Sequence, residues 1–101
     1  MNTTNLDRRL AAAIGCVLVT GVAGVYRNFG RPDAQLLRHT DPAELQALAA
    51  QGHFPAGSMG PKVEAAVHFV RHSGRPAIIC QPADLAAAIE GEAGTLVQQE
   101  T

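Results

Sequence analysis

PKVEAAVHFVRHSGRPAIIC, residues 61–80, holds the two patterns that decide the fold. Val63, Ala66, Val67 and Val70 recur at the i, i+3, i+4, i+7 spacing of one buried helical face. Ser73-Gly74 then supplies a stop, because glycine readily takes the left-handed conformation that ends a helix. Residues 76–80, PAIIC, follow as a continuous apolar run, the pattern of a strand buried on both faces. A helix leading into a doubly buried strand is the unit of a parallel sheet covered by helices.

The flanks repeat that alternation. Residues 6–14, LDRRLAAAI, have helix-forming composition, and residues 16–20, CVLVT, read as a second strand buried on both faces. Residues 21–38 carry Gly21, Gly24, Gly30 and Pro32 around short apolar pieces at Val25-Tyr26 and Leu36-Leu37, which predicts a long loop or a small β-ribbon. Asp41-Pro42-Ala43-Glu44 is a helix start, with an Asp cap, Pro at the first helical position and Glu placed to close a capping box. That helix should run to about Ala50 and stop at Gly52. The next should open at Pro61. Beyond Cys80, Pro82 opens a short helix with Leu85, Ala88 and Ile89 facing inward, Gly91 closes it, and residues 95–98 add an edge strand. The fold class is therefore α/β, a short and mainly parallel sheet between helices with right-handed crossovers, in a single partial domain over residues 1–101.

Composition narrows the function. Hydrophobic residues make up 47% and charged residues 17%, which suits a folded core and argues against disorder. Eight Lys and Arg against nine Asp and Glu leave no positive field for nucleic acid or an anionic membrane surface. Cys16 and Cys80 each border a branched apolar run and are expected as reduced, buried thiols. The amino-terminal stretch has two early arginines and then apolar residues, as a secretion signal does, but Asp7 and the glycines at 15, 21 and 24 interrupt it. A cytoplasmic location is the expectation.

Residues 52–62, GHFPAGSMGPK, run as a glycine-rich loop straight into the helix, with Lys62 at its second position. A helix start carries about half a positive charge, so a lysine there is disfavoured unless something negative sits beside it. Free backbone N–H groups, glycines that let a ligand approach and one ammonium make a phosphate cradle; a solvated lysine after a Gly/Pro loop is the other reading. His68 and His72 lie four apart on the polar face of the helix without a third ligand at matching spacing, so no metal site is assigned. Cys80 has no basic neighbour to activate it, and His53 reads as a loop-packing residue.

Three stretches, LVTGVAGVYRNFGRPD (18–33), GHFPAGSMGPKVEAAVHFV (52–70) and RPAIICQPADLAAAIEGEAGT (75–95), resemble in order and spacing the carboxy-terminal, ATP-binding part of carbamate kinases, within the amino-acid-kinase family. The resemblance implies a three-layer α/β half-domain and a reversible reaction of ATP with carbamate, giving ADP and carbamoyl phosphate, with magnesium, in nitrogen catabolism. It casts Lys62 as the lysine on the transferred phosphoryl group, Ser58, Met59 and Gly60 as lining the phosphates, and Thr20, Gly21 and Tyr26 as bordering base and ribose.

Departures from that pattern are part of the reading. Gly21 and Ala23 stand where such proteins often carry acidic residues, and Arg9 replaces the second acid of an acid-base-acid motif beginning at Asp7. The segment from Arg9 to Cys16 is shorter than its counterpart. The family's amino-terminal part supplies a second phosphate-binding lysine, the carbamate pocket and most of a dimer interface. These 101 residues are thus expected to be inactive alone and to need an amino-terminal half or a homodimer partner. The alternatives are a noncatalytic nucleotide-binding chain and a structural fragment that only associates with its complement.

Overall fold

The computed structural model describes residues 14–54 and 59–99. The helix expected over residues 6–14 lies, apart from its last residue, outside the described residues. A four-stranded sheet has the order β1 (Cys16–Val19), β5 (Ala77–Cys80), β6 (Thr95–Val97), β4 (His39–Thr40). β1 and β5 pair in parallel with Val17 opposite Ile78, and β4 and β6 pair in parallel with Thr40 opposite Val97. β5 and β6 run antiparallel, with Ile78 opposite Leu96. β2 (Tyr26–Arg27) and β3 (Gln35–Leu36) form the expected separate antiparallel ribbon.

Helix α1 (Pro42–Ala50) begins as its sequence requires, Asp41 Oδ1 accepting the Glu44 N–H at 2.7 Å. Glu44 does not complete a capping box; its carboxylate accepts from Thr40 Oγ1 and meets Arg27 at 3.3 Å, tying the ribbon to the helix. Both partners of that ion pair are more than a third exposed, so water screens it to a small contribution. Gly52 ends α1 with φ 82°, a left-handed turn in which the His53 N–H reaches back to Leu48 O at 3.1 Å.

Helix α2 (Met59–Ser73) buries Val63, Ala66, Val67 and Val70 as its spacing dictates. Gly74, with φ 74°, stops it. With Leu45, Ile79 and Val97 these side chains make the main core on one face of the sheet. On the other face Ile78, Cys80 and Leu96 pack under Ala88 of α3 (Leu85–Ile89), which follows a 3-10 turn at Pro82–Asp84.

Three expectations are corrected. β6 is interior to the sheet rather than at its edge, because the chain doubles back after α3 through Gly91 and Gly94, with φ 83° and 74°. At Gly94 an added Cβ would stand 2.8 Å from Ile79 O, so only glycine lets β6 lie this close to β5. β1 is not buried on both faces: Val17 and Val19 are 38% and 46% exposed, because β1 is an edge strand with only one face packed on the main core. Leu85 is exposed, not inward, because the tighter 3-10 turn shifts the helical phase and leaves it as the first residue of α3.

Cys16 and Cys80 are free and lie in adjacent strands of one sheet, as expected. Cys16 faces Ala77, three residues before Cys80, or ~10 Å along the strand at ~3.3 Å per residue, which is beyond the reach of a disulfide. Among the described residues no helix is long and apolar enough to cross a membrane.

Candidate functional site

The site forms where the carboxyl end of β1 meets the start of α2, the end of an open α/β sheet at which ligands generally bind. The Thr20 N–H donates to Cys80 O at 2.8 Å, extending the β1–β5 ladder by one rung and burying Thr20. The chain then crosses the start of β6. A Cβ on Gly24 would stand 2.7 Å from Thr95 Oγ1, and the Val25 N–H donates to that same oxygen at 2.9 Å. Thr95 is fully buried, so its hydroxyl satisfies a backbone donor that would otherwise cost about 1–3 kcal/mol. This crossing places Tyr26 on the ribbon above the end of β1.

Met59, buried at the amino end of α2, and Lys62, its fourth residue, close the opposite side. The helix begins two residues earlier than Pro61, so Lys62 is fourth rather than second, yet still in the first turn of ~3.6 residues. That turn contains no acidic residue, and Lys62 has no ion-pair partner among the described residues. A cation at the positive end of a helix, without a carboxylate to offset it, suits an anionic ligand.

The cavity, partly open to solvent, is about 250 Å³, somewhat below the ~300–1,000 Å³ of whole ligand sites. Thr20, Gly21, Tyr26, Met59 and Lys62 line it together, from segments more than thirty residues apart in sequence. Gly60 lies in the same first turn but does not line the cavity, and Ser58 lies outside the described residues. Val22, Gly24, Phe29, His53 and Phe54 also line it and were not singled out as ligand-facing. Their signal was present: Phe29 sits in the stretch 18–33, and His53 and Phe54 in the glycine-rich stretch itself. No periodicity aims loop side chains, so only the packed structure selects them. At Gly21 nothing stands within 4 Å of an added Cβ, so the position has room for a side chain.

His53 packs the loop, as expected, its Nδ1 accepting the Asn28 N–H at 3.2 Å. His68 and His72 are exposed with ring centres 4.0 Å apart, and among the described residues no group of three or more His, Cys, Asp or Glu could hold a metal ion. Burial, and then the charge of nearby Asp84, pushes the Cys80 thiol up, which keeps it protonated and unreactive at neutral pH.

Known proteins carry the same pieces. The carbamate kinase-like protein YahI of Escherichia coli K12 is 41% identical over 95 residues, covering 94% of this chain and 30% of its own length. The carbamate kinase of Thermoplasma volcanium is 41% identical over 81 residues, 80% of this chain and 27% of its own. The solved structure of Giardia lamblia carbamate kinase bound to AMP-PNP superposes with a TM-score of 0.79 at 36% identity, over 83% of this chain and 27% of that one. The chain therefore spans under a third of the length of these relatives. Residues 8–81, which hold β1, the ribbon, α1, α2 and all of β5, match the Amino acid kinase family. Lys62 and the end of β1 both lie within that match, and the chain belongs to the amino acid kinase family.

Proposed function

We propose that these residues form the nucleotide-binding part of a carbamate kinase-type phosphotransferase site, acting with ATP and carbamate or, in reverse, with ADP and carbamoyl phosphate. One observation carries the reading: Lys62, in the first turn of α2 and without an ion-pair partner among the described residues, shares a cavity with Thr20, Gly21 and Tyr26 at the end of β1. Lys62 would meet the phosphates with its ammonium, Met59 and Gly60 would offer the helix start, and Tyr26 would border the base. The AMP-PNP in the Giardia neighbour supports a nucleotide as the ligand class.

Magnesium, implied by the resemblance, finds no carboxylate among the lining residues. Such an ion is commonly held mainly by substrate phosphates and water, and no residue here is assigned to it. Phosphoryl transfer rests on several charges placed at once. One lysine with neutral lining provides binding without turnover, so a further polypeptide, an amino-terminal half or a homodimer partner, would bring the remaining charges and the acceptor pocket. The cytoplasmic, arginine-degrading setting of such enzymes is the natural one for this chemistry.

Calorimetric titration with ADP, run beside Lys62→Ala, tests the reading. Losing one hydrogen-bonded charge should weaken binding by about 1.5–3 kcal/mol, roughly ten- to a hundredfold. Equal affinity in the two proteins would remove Lys62 from the site. A coupled ADP assay with ATP and carbamate should show no turnover for the 101 residues alone.

A further inference from the structure

Phe29 forms one wall of the cavity from the exposed tip of a turn. Asn28 before it has φ 57°, the left-handed region that asparagine tolerates better than most residues. Its carbonyl accepts the Arg31 N–H at 3.1 Å, and Gly30, with φ 82°, occupies the third position, as a type II turn requires. Its side-chain Nδ2 donates to Asp33 Oδ2 at 3.1 Å. The Phe29 ring is 46% exposed and leans on Tyr26 at 5.5 Å between centres. What ties this turn to the loop after α1, across the cavity mouth, is the Asn28 N–H donating to His53 Nδ1 at 3.2 Å.

That bond dictates the state of the ring. A nitrogen accepting a backbone N–H cannot carry a proton, so Nδ1 is bare, and Nε2 holds the proton and donates to Gln51 Oε1 at 3.3 Å. Protonating Nδ1 sets one N–H against another. The charged groups facing His53 are Lys62 across the cavity, Arg31 in the adjoining cleft, and Asp33 through Asn28. The added charge meets two cations and one carboxylate.

We propose that neutral His53 is a positioning residue of the pocket: it latches the turn at Asn28, and its protonation releases the Tyr26–Phe29 wall. The base-binding consequence rests on the nucleotide reading above; the latch does not. Nucleoside binding is then strong near neutral pH and falls in mild acid.

The chain has one tyrosine and no tryptophan, so tyrosine emission reports Tyr26 alone. Wild type and His53→Asn, which keeps an acceptor oxygen near the Nδ1 position without titrating, are taken from about pH 8 to about pH 5. The Tyr26 emission and the Asn28 amide resonance should shift together in wild type and stay flat in His53→Asn. A shift that persists in His53→Asn overturns the latch. Should that variant fail to fold, wild-type resonances decide: Asn28 must titrate with the His53 ring, and independent titration sinks the proposal. Adenosine, which carries the base without phosphate charge, should bind wild type roughly two- to tenfold more weakly at the acid end, the loss expected for one aromatic contact, and His53→Asn equally at both. No adenosine binding, with the Tyr26 shift intact, removes the nucleotide reading and leaves the latch. Equal binding at both ends with a silent Tyr26 does the reverse.

Discussion

The two faces of the sheet are built to different standards. On one, α1 and α2 seal Ile79, Val97 and Ala77 beneath Leu45, Val63, Val67 and Val70. On the other, the five-residue α3 covers Ile78, Cys80 and Leu96 through Ala88, while Val17 and Val19 stay 38% and 46% exposed. The sealed face carries the site, since α2 supplies Lys62 and Met59. A helix held along its length by a close-packed core presents its first turn rigidly, and the phosphate contact proposed for Lys62 would depend on that rigidity. Among the described residues the other face bears none of the cavity lining.

Adjacent residues of β5 measure the difference directly, because Ile79 points into the sealed face and Ile78 into the thin one. Ile79→Ala should lower stability by about 3–5 kcal/mol and Ile78→Ala by about 2–3, since a cavity beside half-exposed Val17 can collapse further. Chemical denaturation of both variants reads the gap. Equal losses would mean that the second face is packed as tightly as the first.

Cys80 sharpens the contrast chemically. Its thiol is held above its ordinary range by burial and by Asp84, so the folded state favours the protonated form. The sign follows: this stabilisation is fully present below the unfolded thiol's pKa and is lost as pH rises through the higher folded value. A thiol reagent near neutral pH should therefore label half-buried Cys16 well before Cys80, and the lag should shorten only as alkali destabilises the fold. Simultaneous labelling at neutral pH would show that α3 opens freely.

The smallest effect belongs to the exposed strand. Val19→Ser changes a side chain 46% in water and should move stability by no more than about 0.5–1 kcal/mol. A cost of several kcal/mol would reveal a cover over β1 that the described residues do not supply.

Much of this was legible in the residues. The α2 face, the Asp41 cap, the glycine stops at 52, 74 and 91, and the buried run of β5 are local signals read over a few residues, and each appears where it was expected. Lys62 was legible for the same reason, because a lysine in a first helical turn conflicts with the helix dipole within one short segment. Resemblance carried Thr20, Gly21 and Tyr26, and they do gather at one cavity.

Long-range pairing was not legible in this way. A three-residue strand has the same sequence signal at an edge as in a sheet's interior, and β6 is interior because Gly94 lets it lie against β5. A continuous apolar run in β1 could not reveal that Val17 and Val19 would stay partly exposed while Cys16 and Leu18 pack on the main core. Nor could any pattern announce that Thr95 would satisfy the Val25 N–H seventy residues away, or that His53 would accept from Asn28. Helix faces, caps and stops are set by interactions within a turn or two of chain. Sheet order, edge exposure and the aim of loop side chains depend on which distant segments meet, and that is settled only when the whole core packs.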